Sequence, residues 1–120
     1  MKLTFPLRQH IGVPSEPVIS TGAHVKRGQL IAKKPDASLG ANIFSSVDGT
    51  VDSVNEAEIV INEENTDFSK YEKLTETSPL KLIEESGLVG LGGAGFPTYV
   101  KLGKKFESGG VIAVKCRRVR

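Results

Sequence analysis

In the first half of the chain, apolar residues come in short, often β-branched runs: Val18-Ile19, Leu30-Ile31, Ile43-Phe44, Val51 to Val54 and Ile59-Val60-Ile61. Turn signals separate them at Gly12 with Pro14, Thr21-Gly22, Arg27-Gly28, Pro35-Asp36 and Asp48-Gly49. Short runs at this spacing predict a small β barrel or sandwich over residues 3–62. Asp48-Gly49, between Ser45-Ser46-Val47 and Thr50-Val51, predicts a tight hairpin turn. Asn62 to Thr77 is polar and charged and reads as a linker, with Phe68 and Tyr71 as candidate anchors.

The pattern then changes period. Ser78-Pro79 predicts a helix start, with serine as N-cap and proline at the first helical position. Leu80, Leu82 and Ile83 form its apolar side, Glu84 and Glu85 are expected to face water, and Gly87 ends it. A second helix is expected from Pro97 to about Lys104. After it, Gly109-Gly110 turn into a buried strand, Val111 to Val114. Helix, loop, helix and strand in this order predict the start of an α/β domain. The expected organisation is a β domain over 1–63, a linker over 64–77, the α/β start over 78–114 and an aberrant tail over 115–120. By itself the α/β start is too small to bury a core, so 78–114 is expected to be marginal and open to solvent.

Between the two helices lies the chemically most suggestive stretch. Five of the thirteen glycines fall within Gly87 to Gly95. Residues without Cβ let a ligand approach the backbone, and Lys101 stands one turn into the following helix. Loop N–H groups, a helix N-terminus and a lysine make a phosphate cradle. Gly90-Leu91-Gly92-Gly93-Ala94-Gly95 also matches G-x-G-x-x-G, but a dinucleotide-binding turn must follow a strand and carry an acidic residue roughly twenty positions on. Here a helix is expected before it and Lys115 stands at that distance, which excludes that unit. A tight helix–helix turn needing positive φ accounts for the bare glycines equally well.

Composition adds boundaries. The chain has 120 residues, 38% hydrophobic and 25% charged, as in an ordinary globular protein. It has neither a run of about eighteen apolar residues nor a signal-peptide-like N-terminus, so a cytoplasmic protein without direct membrane insertion is expected. The net charge of +2 misleads: four of the sixteen basic residues lie in the last six positions, and the remaining twelve stand against fourteen acidic ones, net −2. With no basic stripe or nucleic-acid-binding motif, nucleic acid is not an expected partner. Cys116 is the sole cysteine and cannot hold an iron–sulfur cluster alone. His10 and His24 are the candidate acid–base groups, but no partner is visible for either, so no catalytic and no metal-binding residue is assigned.

Longer strings are more specific. Gly22 to Leu30, reading G-x-x-V-x-x-G-Q-L, and Ser46-Val47-Asp48-Gly49-Thr50-Val51 resemble the barrel-sandwich hybrid of lipoyl and biotinyl domains. In a carrier the modified lysine sits at the tip between these blocks; here the tip is Pro35 to Gly40, without carrier signatures, and Lys33 and Lys34 before it are expected to be solvated. Gly90 to Leu102, Gly-Leu-Gly-Gly-Ala-Gly-Phe-Pro-Thr-Tyr-Val-Lys-Leu, resembles the signature of the RnfC family of Rnf electron-transport complexes, related to the flavoprotein of respiratory complex I. Pro6-Leu7-Arg8-Gln9-His10-Ile11-Gly12-Val13-Pro14, Val25 to Ala32 and Gly40-Ala41-Asn42-Ile43 are similar to further family motifs, in family order.

The resemblance implies a barrel-sandwich hybrid followed by the start of a complex-I-like flavin domain. It implies an electron-transfer oxidoreductase component that in its intact form moves electrons from NADH through FMN to 4Fe-4S clusters in a part this chain lacks. It implies Gly90, Gly92, Gly93 and Gly95 as cofactor-binding, Lys101 as partner of the FMN phosphate and Phe96 as a neighbour of the nucleotide or of the core. The implied partners are other electron-transfer subunits, which would attach the chain to the inner face of the cell membrane, or a soluble reductase of the kind found in the proline-reductase-associated and cobalamin-reductase relatives. The fragment alone is expected to be inactive. Two other readings stand beside it: a non-enzymatic β scaffold that docks a partner, and a lipoyl-like carrier.

In the family, the strand at Val111 to Val114 is followed by an Asn-Ala-Ala-Glu-Cys-Glu-Pro-like segment; here Lys115-Cys116-Arg117-Arg118-Val119-Arg120 follows. One codon choice for this hexamer, AAA-TGC-CGC-AGA-GTG-CGA, yields Asn-Ala-Ala-Glu-Cys when a single A is removed. The tail is therefore expected to be a one-base frameshift.

Overall fold

The computed structural model describes residues 1–65, 67–106, 108–111 and 113. Seven strands and two helices follow one another among them: β1 (Lys2–Pro6), β2 (Glu16–Pro17), β3 (His24–Val25), β4 (Leu30–Lys33), β5 (Ile43–Phe44), β6 (Asp48–Val54), β7 (Glu58–Asn65), α1 (Pro79–Glu85) and α2 (Thr98–Leu102). The strands form two antiparallel sheets, one ordered β1-β7-β6-β3 and the other β2-β4-β5. This is the expected mostly β half.

Alternation puts the core between the sheets. In β7, Ile59 and Ile61 are fully buried, flanking a half-buried Val60. Val25, Ile31, Ala32, Ile43, Val47 and Val51 join them, with Leu7 closing one end. Ile31 and Ala32 are consecutive yet both buried, because β4 shifts register against β5 between Leu30 and Ala32. Burying each isoleucine contributes about 2 kcal/mol.

The hairpin expected at Asp48-Gly49 is not there. Both residues lie inside β6, and the turn falls at Asn55–Ala57, where the Asn55 Oδ1 accepts the N–H groups of Ala57 and Glu58 at 2.8 and 2.9 Å. Gly49 is needed for space: a Cβ there would stand 2.0 Å from the Asn62 carbonyl oxygen on β7. The Asp-Gly pair thus marks a close crossing of strands, with a register shift between its two residues.

β7 runs to Asn65, past the expected end of the β domain. From Asp67 to Glu76 the chain is an exposed strap laid along the β half. The Arg27 guanidinium donates to the Phe68 carbonyl and lies over its ring, 5.0 Å from the centroid, and the Glu72 N–H donates to the Arg27 carbonyl at 2.8 Å. At its far end, Glu85 of α1 accepts the N–H groups of Thr75 and Glu76 at 2.9 and 2.7 Å. The Thr75 N–H first, then that of Glu76, hold this carboxyl below its usual range. Glu84 pairs with Lys34 at 3.3 Å. Neither glutamate simply faces water, as expected from the pattern, because strap and β half both fold back onto α1.

α1 begins at Pro79 as expected, but Ser78 makes no side-chain cap bond. α2 begins one residue late, with Pro97 in the N-cap position, and ends at Leu102 rather than near Lys104. Val111 and Ala113, placed in a buried strand by the pattern, are exposed and outside any strand. None of the seven strands runs beside them to pair their N–H and C=O groups. Ile112, Val114 and the proposed frameshifted tail, Lys115 to Arg120, lie outside the described residues. Beyond the strap, the described residues carry α1, α2 and an isolated bridge between Val89 and Pro97.

Candidate functional site

The glycine loop hangs between the two helices as a closed turn. Its ends pair: Gly90 N–H donates to the Phe96 carbonyl and Thr98 N–H to the Leu88 carbonyl, each at 3.0 Å. Gly87, at φ 68°, ends α1 and presses on the β half, where a Cβ would lie 2.1 Å from the Asn42 carbonyl oxygen. Asn42 holds the same corner with its side chain, donating from Nδ2 to the Glu85 carbonyl and accepting the Lys34 N–H at Oδ1.

The other end of the loop rests on the N-terminal motif. Ile11 N–H donates to the Ala94 carbonyl at 2.8 Å. Gly95, buried at φ 64°, lies so close that a Cβ would be 3.0 Å from the Gln9 carbonyl oxygen and 3.1 Å from the His10 Cα. Pro97 beside it is fully buried. Behind this wall sits His10, 5% exposed. Its Nε2 accepts the Ala41 N–H at 3.2 Å, so the proton of the neutral ring is on Nδ1, 3.1 Å from the Ile11 carbonyl oxygen it donates to. The Ser15 hydroxyl donates to the Ala41 carbonyl at 2.7 Å, and its oxygen is 3.3 Å from Nε2.

The five candidate residues therefore divide. Gly92 and Gly93 are exposed at the tip, and no heavy atom lies within 4 Å of a Cβ built on either. Gly90 and Gly95 are occupied in forming the loop. Lys101 is exposed in the last turn of α2, where a cation also suits the helix dipole. With five residues, α2 offers only a small dipole to the cradle. Phe96 is 44% exposed and Leu91 projects fully from the tip.

Other expectations shift. Lys34 is not solvated: its side chain is 14% exposed, pairs with Glu84 and lies 5.7 Å from the Tyr99 ring centroid. Lys33 is exposed and 3.4 Å from Asp36. The loop between them and Gly40 is folded down, with Val13 N–H donating to the Leu39 carbonyl, so no lysine stands at a projecting tip. His24 has partners after all: its Nδ1 is 3.1 Å from the Thr50 hydroxyl and 3.6 Å from Glu64. The shallow concavities along the strap are lined by Lys26, Asp48, Tyr71 and Glu72 and by Asn42, Lys81 and Glu84, away from the glycine tip. The roles of Ser15, Asn42 and Lys34 escape a reading of the sequence, although Asn42 lies in one of its motifs and Ser15 directly follows another.

Comparison with known proteins now decides the family. The model of the RnfC barrel sandwich hybrid domain matches residues 1–69, more than half of the chain. The chain belongs to the RnfC family. It is similar to the C-subunit of the proton-translocating ferredoxin:NAD(+) oxidoreductase complex of Clostridium ljungdahlii, 39% identical over 118 residues that cover 84% of this chain and 26% of the relative. The C-subunit of the ion-translocating oxidoreductase complex of Pseudomonas aeruginosa is 36% identical over 115 residues, covering 81% of this chain and 15% of the relative. The cobalamin reductase PduS of Citrobacter freundii is 43% identical over 60 residues, half of this chain and 13% of the relative. This RnfC chain thus spans about a quarter or less of the length of these relatives. The first two matches reach beyond the β half and take in the glycine loop, since they cover over four fifths of the chain. No helix among the described residues is long and apolar enough to cross a membrane.

Proposed function

We propose that this chain is the N-terminal part of an electron-transfer oxidoreductase subunit that, when whole, passes electrons from NADH through FMN to 4Fe-4S clusters, and that its glycine loop is one wall of the FMN site. The observation that carries the reading is the pairing of a clamped base with an open tip. Gly90, Gly95 and Pro97 are tied down, while Gly92 and Gly93 leave a space that any Cβ would begin to fill. A phosphate needs such an approach to backbone N–H groups. The residues present fit one side of a nucleotide phosphate. Bound flavin would supply the exchange between hydride and single-electron chemistry. This chain's part is to hold and orient: Gly92 and Gly93 admit the phosphate, and the exposed Lys101 neutralises its charge. The domain division follows: a β scaffold to about residue 63, a linker over 64–77, and the first part of the flavin domain from 78.

The names of the relatives support a place among other electron-transfer subunits, in the cytoplasm against the inner face of the cell membrane, or beside a soluble reductase. With one cysteine, the chain alone is expected to reduce no acceptor from NADH. FMN fluorescence titration of the purified chain is the test. Quenching that is lost in Lys101→Ala supports the site. Absence of quenching in the parent chain refutes it and leaves a β scaffold that docks a partner. The mass of the purified protein separates out a lipoyl-type carrier, which would carry an added group on Lys33 or Lys34.

A further inference from the structure

The buried imidazole behind the glycine loop has no part in the proposed chemistry, yet it holds the wall on which that loop rests. We propose that His10 is a positioning residue for the glycine loop and does this work only as the neutral Nδ1–H tautomer. On protonation, Nε2 changes from accepting the Ala41 N–H to donating to the Ser15 hydroxyl, which releases the Ala41 N–H and loosens the segment that carries Ile11. The inference rests on the flavin-site reading only for its consequence for a ligand, not for the device itself.

Three observations support it. First, both ring nitrogens are used, and their partners set the tautomer: Ala41 N–H at Nε2 and the Ile11 carbonyl at Nδ1. A proton on Nε2 would face the Ala41 N–H donor head-on, at a site 5% exposed where the displaced N–H lacks water. Second, a second acceptor stands ready. The Ser15 hydroxyl spends its own proton on the Ala41 carbonyl, so its oxygen, 3.3 Å from Nε2, has lone pairs to accept. The ring can therefore exchange one partner for the other with little movement. Third, the residue next to His10 makes the bond to the loop, Ile11 N–H to the Ala94 carbonyl, and Gly95 packs on His10 Cα itself.

The charges around the ring do not hold it protonated. From its own segment the charged neighbour is Arg8, whose guanidinium is turned to the Gly12 carbonyl. From the facing segment, Lys34 is turned to Glu84, and Asp36 to Lys33. Leu88 to Pro97 contributes no titratable side chain. Among the described residues, no carboxylate hydrogen-bonds to the ring.

Amide hydrogen exchange of the full chain, followed by NMR from about pH 8 to about pH 5 alongside the His10 ring signals, tests the device. The expected result, after correction for intrinsic exchange, is that Ile11 and Ala41 lose about tenfold in protection as the ring takes its proton. Val51, bonded to Ala23 in the core, should not change. In His10→Gln, whose amide oxygen can accept the Ala41 N–H but does not titrate, the protection should be independent of pH. A constant protection at Ile11 through the titration overturns the proposal, as does a ring that stays neutral until the core unfolds, or an equal loss at Val51. The wild-type experiment suffices if His10→Gln does not fold. FMN titration at both ends of the pH range separates the two readings. No quenching at either pH, with the exchange result intact, removes the flavin site and leaves the positioning role. Quenching with constant exchange removes only the positioning role.

Discussion

Gly49→Ala tests the reading of β6 most directly. If Asp48-Gly49 were a hairpin turn, alanine would cost about 1 kcal/mol through a left-handed backbone. In the structure Gly49 has no positive φ, and the added Cβ meets the Asn62 carbonyl oxygen at 2.0 Å and the Ile61 side chain at 3.0 Å. Ordinary contact begins near 3.4 Å, so β6 must move off β7 by more than an ångström. That weakens the adjoining ladder hydrogen bonds, about 1 kcal/mol each, and disturbs packing around Ile61, another 1–3 kcal/mol or so. The gain from stiffening the unfolded chain returns roughly 0.5–1 kcal/mol. The net expectation is a loss of about 2–4 kcal/mol, which for a domain of this size lowers the melting midpoint by about 10–25 °C. Urea unfolding followed by far-ultraviolet circular dichroism reads it. A variant as stable as the parent, or one weakened by less than about 1 kcal/mol, would refute the close crossing.

Other substitutions probe the rest. Ile61→Ala, at a fully buried position, should cost about 3–4 kcal/mol in the same assay. In the glycine loop, Gly92→Ala should leave stability unchanged because nothing lies within 4 Å. Gly95→Ala, at φ 64° and against Gln9 and His10, should cut protection of the Ile11 amide by about tenfold or more while the β core keeps its midpoint. Docking of the strap should depend on pH through Glu85. Its folded carboxyl titrates below its usual 4.5, so its contribution is complete above that value and is lost as pH falls through the lowered folded value. Exchange at Thr75 and Glu76 should speed up over that window in the parent, and Glu85→Gln should abolish the dependence. Sequencing of the gene checks the tail: codons 115–120 should regain an Asn-Ala-Ala-Glu-Cys reading on removal of one base.

Local pattern carried much of this protein. Alternation and β-branched runs were enough for a small two-sheet β half, and Pro79 with Gly87 bracketed α1, because these signals act within a few residues. The thirteen residues from Gly90 to Leu102, with the motif at Pro6 to Pro14, were enough for the family, since so long a string rarely arises by chance. What the motifs do for one another was decided only by tertiary structure. Gly49 looked like a turn because Asp-Gly is read locally, whereas its reason is a carbonyl on the neighbouring strand. Gly90, Gly92, Gly93 and Gly95 looked equivalent, and packing against Gln9 and His10 separated the clamped from the open. His10, Asn42 and Lys34 gained their roles from partners far away along the chain. Periodicity encodes which face a residue shows to its own element; a contact between distant segments depends on how both are placed, and that is set by the closing of the whole core.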